Sequence, residues 1–133
     1  MTPEQLTRLQ ALLRDLEGEF HHGDCVGADA EAHDIALGMA FDIVTHPPIV
    51  ASKRAWKVGA IRTCAQRSDV ARNKDIVRDT ELLIAAPSEA EEQLRSGTWT
   101  TVRFARRKRR RIFIIHPDGT VVSEGGGLTS GKR

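Results

Sequence analysis

The sequence predicts an α/β fold of three layers, with a mostly parallel sheet of four to five strands between helices. Two observations carry this prediction. Segments with apolar residues at helical spacing alternate with short, continuous apolar runs, of which residues 82–86 and 112–115 are the clearest. Continuous apolar runs are typical of parallel strands, because helices cover such strands on both faces.

The chain has 133 residues, enough for one domain with a normal hydrophobic core. It has no apolar run long enough to cross a bilayer, and its N-terminus lacks the profile of a signal peptide. Cys25 and Cys64, the two cysteines, lack the spacing of metal ligands. Two isolated thiols fit a reducing compartment, so we expect a cytoplasmic protein.

The net charge of +2 conceals a basic patch at Arg106 to Arg111, where every residue is Arg or Lys. Outside this patch, fourteen basic residues face eighteen acidic ones. The patch could contact nucleic-acid phosphates non-specifically, or it could complement the dipole at the C-terminus of a helix. We favour the second interpretation, because six aromatic residues in the whole chain are too few to form a platform for stacking bases.

The first helix should begin after Thr2, with Pro3 in its first turn and Gln5 closing a capping box, and should end at Gly18. Its core-facing residues are Leu6, Leu9, Leu13 and Leu16. A strand over 19–22 and a helix over 28–40 come next, followed by a strand over 41–46 that stops at two prolines. The apolar stripe of this second helix is Ala32, Ile35, Ala36 and Met39.

No clear period runs through residues 49–68, which are either a ligand-binding lid or an ordinary connection. We favour a short helix over 54–61 that packs Trp56 and Ile61 against the core. A third helix over 69–78, capped by Ser68, should bury one face. That face consists of Val70, Asn73 and Val77. A polar Asn73 on a buried face must either tie a neighbouring loop or contact a ligand.

The C-terminal half should contain a strand over 82–86, a fourth helix opened by Ser96-Gly97-Thr98, and a strand over 112–115. One face of the fourth helix is predicted to carry Arg103, Arg106, Arg107 and Arg110. Asp118-Gly119 predicts a hairpin turn into a final edge strand. The domain organisation is therefore one domain over 1–123 and a flexible tail over 124–133.

The stretch HHGDCVGADAEAHDIA, residues 21–36, predicts an anion site, because a strand leads through Gly23 and Gly27 into the N-terminus of a helix. Free backbone amides and the helix dipole favour a negative charge there. The second glycine-hydroxyl helix start, at Ser96, follows the third readable strand. In a doubly wound sheet the first and third strands flank the point where the winding reverses, so both loops should open on one crevice.

We predict no metal site and no cofactor. His21 and His22 point to opposite faces of a strand and cannot easily share one ion, and His33 is expected on the surface. Cys25 is interpreted as a structural cysteine. Asp29 either contacts a ribose hydroxyl or complements the helix N-terminus, and the sequence leaves both interpretations open.

A set of motifs from His21 to Arg106 resembles the SLOG superfamily, Rossmann-like relatives of Smf DNA-processing proteins and Lonely Guy phosphoribohydrolases. The motifs are HHGDCVGADAEAH, HPP, ARNKDIV, LLIAAP and RSGTWTTVRFAR. The resemblance implies a pocket for a nucleotide or nucleotide-derived ligand, in a sensor or a degenerate enzyme. The residues expected to line it are Gly23, Asp24, Gly27, Ala28, Asp29, Arg72, Asn73, Ser96, Gly97 and Thr98.

Two departures from the family pattern shape these expectations. The glutamate that assists cleavage of the ribose–base bond is replaced by Thr101, so no catalytic residue is assigned. Hydrolysis of a nucleotide N-glycosidic bond stays an alternative, with Asp29 or a loop residue in the role of the glutamate. The usual first apolar strand is also missing, and it would lie between the first and third strands readable here. We therefore expect Met1 to be internal to a longer reading frame, and the open sheet centre to favour a homo-oligomer.

Overall fold

The computed structural model describes residues 1–125, which form a mixed α/β fold. Within them lie four α-helices: α1 (Pro3–Arg14), α2 (Ala28–Gly38), α3 (Asp69–Asp79) and α4 (Gly97–Arg107). The strands of this part of the chain are β1 (Glu19–His22), β2 (Asp42–Thr45), β3 (Arg62–Thr63), β4 (Leu82–Ala85), β5 (Arg111–Ile115) and β6 (Val121–Glu124). None of these helices is long and apolar enough to cross a membrane.

The strands over residues 1–125 form two three-stranded sheets rather than a single sheet of four to five strands. In the first sheet β1, β2 and β3 are all parallel. In the second, β4 and β5 are parallel and β6 is antiparallel to β5, as the Asp118-Gly119 turn predicts. The division falls between β1 and β4, where the sequence predicts an absent strand. Within the described residues, the facing edges of these two strands have no strand partner.

The helices α1 and α2 pack across the division between the two sheets. One core cluster joins Leu9 and Leu13 of α1 to Ile43 of the first sheet and Ile115 of the second. A second cluster packs α3 and α4 on the second sheet, and its buried members are Val77, Ala85, Trp99, Val102, Phe104, Ala105, Ile112 and Ile114. Hydrophobic burial therefore spans the division between the sheets on the α1 side.

The predicted caps at the starts of α1, α3 and α4 are confirmed, whereas the predicted end of α1 at Gly18 is wrong. Thr2 and Gln5 form a capping box at the start of α1, and Gln5 also donates to the carbonyl oxygens of Pro87 and Ile115 at 2.8 and 2.9 Å. The Ser68 and Ser96 hydroxyls cap α3 and α4. The first helix ends at Arg14, before Gly18, and Leu6 and Leu16 are only partly buried.

The prediction of a helix over 54–61 is wrong. The chain there is irregular, with positive φ at Trp56 and Gly59, and leads into β3, and Trp56 and Ile61 are 59% and 58% exposed. The cause is Asp24, whose buried carboxylate accepts hydrogen bonds from Arg54 Nε and from the backbone amide of Lys57, both at 3.1 Å. These contacts hold the segment away from the core.

Three smaller expectations also need correction. Val70 is exposed, because α3 turns Arg72 inward instead. Arg110 lies beyond the end of α4 and so shares no helical face with Arg103. Glu124, assigned to the tail, is the last residue of β6. Residues 126–133 lie outside the described residues, so a flexible tail stays a prediction.

Candidate functional site

A cleft of about 410 Å³ lies between β1 and β4, and residues of both glycine loops line it. Ligand pockets commonly have volumes of about 300 to 1,000 Å³. Seven of the ten expected residues are among its lining: Gly23, Ala28, Asp29, Arg72, Asn73, Gly97 and Thr98. Asp24, Gly27 and Ser96 are outside the lining. The two loops that the sequence placed at one crevice therefore do border a single cleft.

Gly23 permits the close approach of Arg72. A Cβ atom at position 23 would lie 2.4 Å from Nη1 of Arg72 and 2.9 Å from a carboxylate oxygen of Asp29. The Arg72 guanidinium is buried, and its Nη1 donates to the carbonyl oxygens of Gly23 and His46 at 2.8 and 3.2 Å. Arg72 therefore ties the first loop to the end of β2 and places a positive charge in the wall of the cleft.

The carboxyl group of Asp29 accepts hydrogen bonds from backbone amides of its own loop, so these amides are not free for a ligand. Its Oδ2 accepts a hydrogen bond from the backbone amide of Cys25 at 3.2 Å, in the first turn of α2. The carboxyl group is enclosed although the residue as a whole is only partly buried, and this burial raises the pKa of Asp29. A phosphate at this loop would meet a carboxylate, so the first loop is the less favourable of the two predicted anion sites.

The three expected residues outside the lining have structural roles. Asp24 turns away from the cleft to hold Arg54 and Lys57. Gly27 has a φ of 96° and a ψ of −126°, a backbone conformation that a residue with a side chain rarely adopts. The Ser96 hydroxyl accepts from the backbone amide of Trp99 as the cap of α4.

The N-terminus of α4 offers free donors to the cleft. Among residues 1–125 no hydrogen bond uses the backbone amides of Gly97 or Thr98, and both residues line the cleft. A Cβ atom at Gly97 would meet nothing within 4 Å, so the backbone is accessible. Two orphan amides at the positive end of a helix dipole are donors that suit an anion.

Asn73 carries a further free donor. Its Oδ1 accepts from Arg72 Nε at 2.7 Å, which fixes the amide so that Nδ2 is the remaining polar group. Nδ2 makes no hydrogen bond within the described part of the chain, and Asn73 lines the cleft. Thr101 also lines it, but its hydroxyl donates back to the carbonyl oxygen of Gly97 at 3.0 Å.

His33 is buried, contrary to the expectation that it lies on the surface. Its Nδ1 lies 2.9 Å from Nε2 of His22, and its Nε2 lies 2.8 Å from the carbonyl oxygen of Val58. Two polar groups, one on β1 and one on the 54–61 segment, thus draw the side chain inward. Burial is the main cause that lowers the pKa of His22 to about 4, and the neighbouring His33 adds to it.

A second histidine pair lies on the opposite face of β1, as strand alternation requires. Nδ1 of His21 is 2.8 Å from Nε2 of His46, and Nε2 of His21 is 2.9 Å from a carboxylate oxygen of Glu19. Sequence reasoning missed this pair because it depends on strand register. His21 pairs with Val44 across the two strands, which brings His46, two residues further on, to the same face.

The basic patch at Arg106 to Arg111 is largely engaged within the molecule. Arg106 forms ion pairs with Glu92 and Glu124, at 3.0 and 2.7 Å. Arg110 donates to the carbonyl oxygens of Val77 and Arg78, and Arg111 stacks on Phe113. Arg106 and Arg107 end α4, where cations complement the helix dipole.

Comparison of the chain with protein-family models, with curated proteins and with solved structures found no match.

Proposed function

We propose that the cleft between β1 and β4 binds a nucleotide or nucleotide-derived ligand, and that the protein acts as a sensor or a degenerate enzyme of SLOG type. The observation that carries the proposal is the convergence of both glycine loops on one cleft of about 410 Å³. On this view the two sheets are the halves of one Rossmann-like layer, and ligands of such layers bind at the carboxyl ends of the strands.

The phosphate belongs at the N-terminus of α4. The amides of Gly97 and Thr98 make no hydrogen bond within residues 1–125 and face a site that favours negative charge. The first loop is less suitable, because Asp29 already accepts from the Cys25 amide. Of the two anion sites that the sequence suggested, the second is the one that the proposal uses.

The other end of the ligand meets polar groups suited to hydroxyl and amide partners. The carboxyl group of Asp29 can accept a hydrogen bond from a sugar hydroxyl, and Nδ2 of Asn73 can donate to a ring nitrogen or a carbonyl oxygen. Arg72, held beneath them, contributes a fixed positive charge without leaving its structural contacts. Apolar residues such as Ile76 and Ile84 also line the cleft and suit a flat base.

A calorimetric comparison of adenosine monophosphate, guanosine monophosphate, adenosine and inorganic phosphate tests this proposal. We expect a monophosphate to bind more tightly than its nucleoside or phosphate alone. At a hundred times its Kd it should add about 2.7 kcal/mol to the free energy of unfolding. Equal, weak effects from all four compounds would overturn the proposal.

Two substitutions at Gly97 separate the amide from the side chain. Gly97→Pro removes the amide donor, and proline is tolerated at the first position of a helix after an extended residue such as Ser96, with ψ of 131°. Gly97→Ala keeps the amide and adds a Cβ atom in open space. We expect the proline variant to bind the monophosphate at least about tenfold more weakly, since a charge-assisted hydrogen bond contributes about 1.5 to 3 kcal/mol. The alanine variant should bind as the parent does.

Hydrolysis of a nucleotide N-glycosidic bond is the second candidate, favoured by the raised pKa of Asp29. A carboxyl group that keeps its proton to higher pH can donate it to a leaving base. The Thr101 hydroxyl, bonded to Gly97, does not replace a carboxylate. Release of free base from a monophosphate, abolished by Asp29→Asn, would support this activity. Binding of the monophosphate without release of base would support the function as a sensor instead.

The remaining proposals concern context. We infer a cytoplasmic location from the free thiols of Cys25 and Cys64, and a homo-oligomer from the open inner edges of β1 and β4 within the described residues. Contact of Arg106 to Arg111 with nucleic acid is proposed only as non-specific, because Glu92 and Glu124 already neutralise part of the patch. Retention on DNA that disappears at moderate salt is the expected result.

A further inference from the structure

His21, His46 and Asp79 come together from three elements outside the proposed ligand contacts. His21 lies in β1, His46 follows β2, and Asp79 is the last residue of α3. One ligand atom from each lies within 4.8 Å of the other two. The histidine side chains are almost fully buried, whereas Asp79 is exposed. The group therefore offers two potential metal ligands on buried side chains and a third on a side chain that solvent can reach.

The hydrogen atoms of the pair can be placed from its neighbours. A carboxylate only accepts, so Nε2 of His21 carries a hydrogen that it donates to Glu19. Nδ1 of His21 then presents a lone pair, and Nε2 of His46 donates to it at 2.8 Å. Nδ1 of His46 makes no hydrogen bond within residues 1–125, so His46 can move its hydrogen there without breaking another contact. After that shift, Nδ1 of His21 and Nε2 of His46 both present lone pairs to the space between the two rings.

The surroundings suit a cation. Glu19 beneath His21 is the carboxylate partner that orients and polarises metal-bound imidazoles in proteins, and it is itself held by Arg62. Asp79 supplies an anionic oxygen, as in sites with two histidines and one carboxylate. Two nitrogens bound to one tetrahedral ion lie about 3.3 Å apart, so the pair must open by roughly half an ångström.

We propose that His21, His46 and Asp79 form a site for a divalent transition metal ion, with Zn²⁺ as the probe ion and at least one coordination position left to water. This goes beyond the sequence-based expectation of no metal. His21 also lines the cleft, but His46 and Asp79 do not, and none of the three is a proposed nucleotide contact, so the metal proposal can be tested separately from the nucleotide proposal.

The test uses the full chain without an affinity tag, stripped with a chelator and titrated with Zn²⁺ by calorimetry and with Co²⁺ by visible absorption. We expect about one equivalent to bind, with d–d bands of a site of low coordination number. A thiolate-to-cobalt charge-transfer band should be absent, because Cys25 and Cys64 are not ligands. Zn²⁺ should also raise the temperature of unfolding.

Variants decide between this site and incidental binding. His46→Gln and Asp79→Asn should each weaken Zn²⁺ binding at least about tenfold, and Glu19→Gln should weaken it without changing the cobalt bands in kind. Asp79 is exposed, so its substitution leaves the fold intact even if the buried histidine variants are unstable. His116→Gln and Cys64→Ser are matched controls that should bind as the parent does. Absence of stoichiometric binding, loss in the Cys64→Ser variant, or unchanged binding by Asp79→Asn and His46→Gln would overturn the proposal.

Discussion

Nε2 of His22 lies 2.9 Å from Nδ1 of His33, and the groups on either side determine which nitrogen carries each hydrogen. The backbone amide of Asp24 donates to Nδ1 of His22, so Nε2 of His22 is the donor to His33. His33 then donates from Nε2 to the carbonyl oxygen of Val58. The chain of hydrogen bonds requires both rings to be neutral, because an added proton would face an existing donor.

Acid should therefore destabilise the protein between pH 6.5 and about 4. The pKa of His22 is lowered to about 4 in the fold, while an unfolded histidine titrates near 6.5. In this window the unfolded state binds more protons, so the free energy of unfolding falls as the pH falls, by on the order of 3 kcal/mol from this group. Urea unfolding at a series of pH values measures the slope, which His22→Gln should flatten. His116→Gln should preserve it, since the His116 ring lies beside Trp99 and outside the His22–His33 pair. An unchanged slope in the His22→Gln variant would contradict this origin.

Gly23→Ala should lower the free energy of unfolding by about 1 to 3 kcal/mol, because the new methyl group would overlap Arg72 and Asp29. Gly38→Ala is the matched control, since a Cβ atom there meets nothing within 4 Å in α2. That substitution should be neutral or stabilise by up to about 1 kcal/mol. Equal effects of the two substitutions in chemical denaturation would refute the claim that Gly23 is needed for the close approach of Arg72.

Gln5→Ala should cost about 2 kcal/mol in the free energy of unfolding. The substitution leaves the buried carbonyl oxygens of Pro87 and Ile115 without their donor and removes half of the capping box. Gln10→Ala, at an exposed position of the same helix, should change stability by less than about 0.5 kcal/mol. Guanidinium unfolding of both variants measures the difference. A loss of similar size in both would contradict the role of the Gln5 hydrogen bonds, because alanine has a higher helix propensity than glutamine and cannot itself cause a loss.

Asp24→Ala should release the segment around Trp56. The loss of a buried carboxylate that holds Arg54 and the Lys57 amide should cost about 3 kcal/mol. Amide exchange over 54–58 should accelerate more than exchange in α4. Asp34→Ala removes the exposed partner of Lys57 and should cost less than about 1 kcal/mol. Uniform acceleration of exchange across the chain would instead indicate global destabilisation.

The structural features that the sequence predicts correctly are those that depend on contacts among a few neighbouring residues. The caps at Thr2, Ser68 and Ser96 and the Asp118-Gly119 hairpin all depend on contacts within four residues. The features that it missed depend on distant partners. Trp56 stays exposed because Asp24, thirty-two positions earlier, holds its neighbours, and His33 is buried because His22 and Val58 provide hydrogen-bond partners.

The same distinction holds at the candidate site. The two glycine loops are visible in the sequence, and both border the cleft. The difference between the two loops as anion sites is not visible in the sequence. It follows from the tertiary position of Asp29, whose carboxylate accepts a hydrogen bond from the first loop and none from the second. Likewise Arg72 could be named from its motif, but its function as a brace for Gly23 and His46 requires the fold.

The division of the sheet has a mechanical consequence. Across the described residues, β1 and β4 are connected through the packing of α1 and α2 and through side-chain hydrogen bonds of Gln5 and Arg72, and through no strand-to-strand ladder. Side-chain contacts yield to sliding more readily than a ladder of backbone hydrogen bonds does, so we expect the separation of the two sheets, and with it the width of the cleft, to vary more readily than the spacing of strands within either sheet. Any extended backbone lying along both edges would stiffen that dimension from two sides at once.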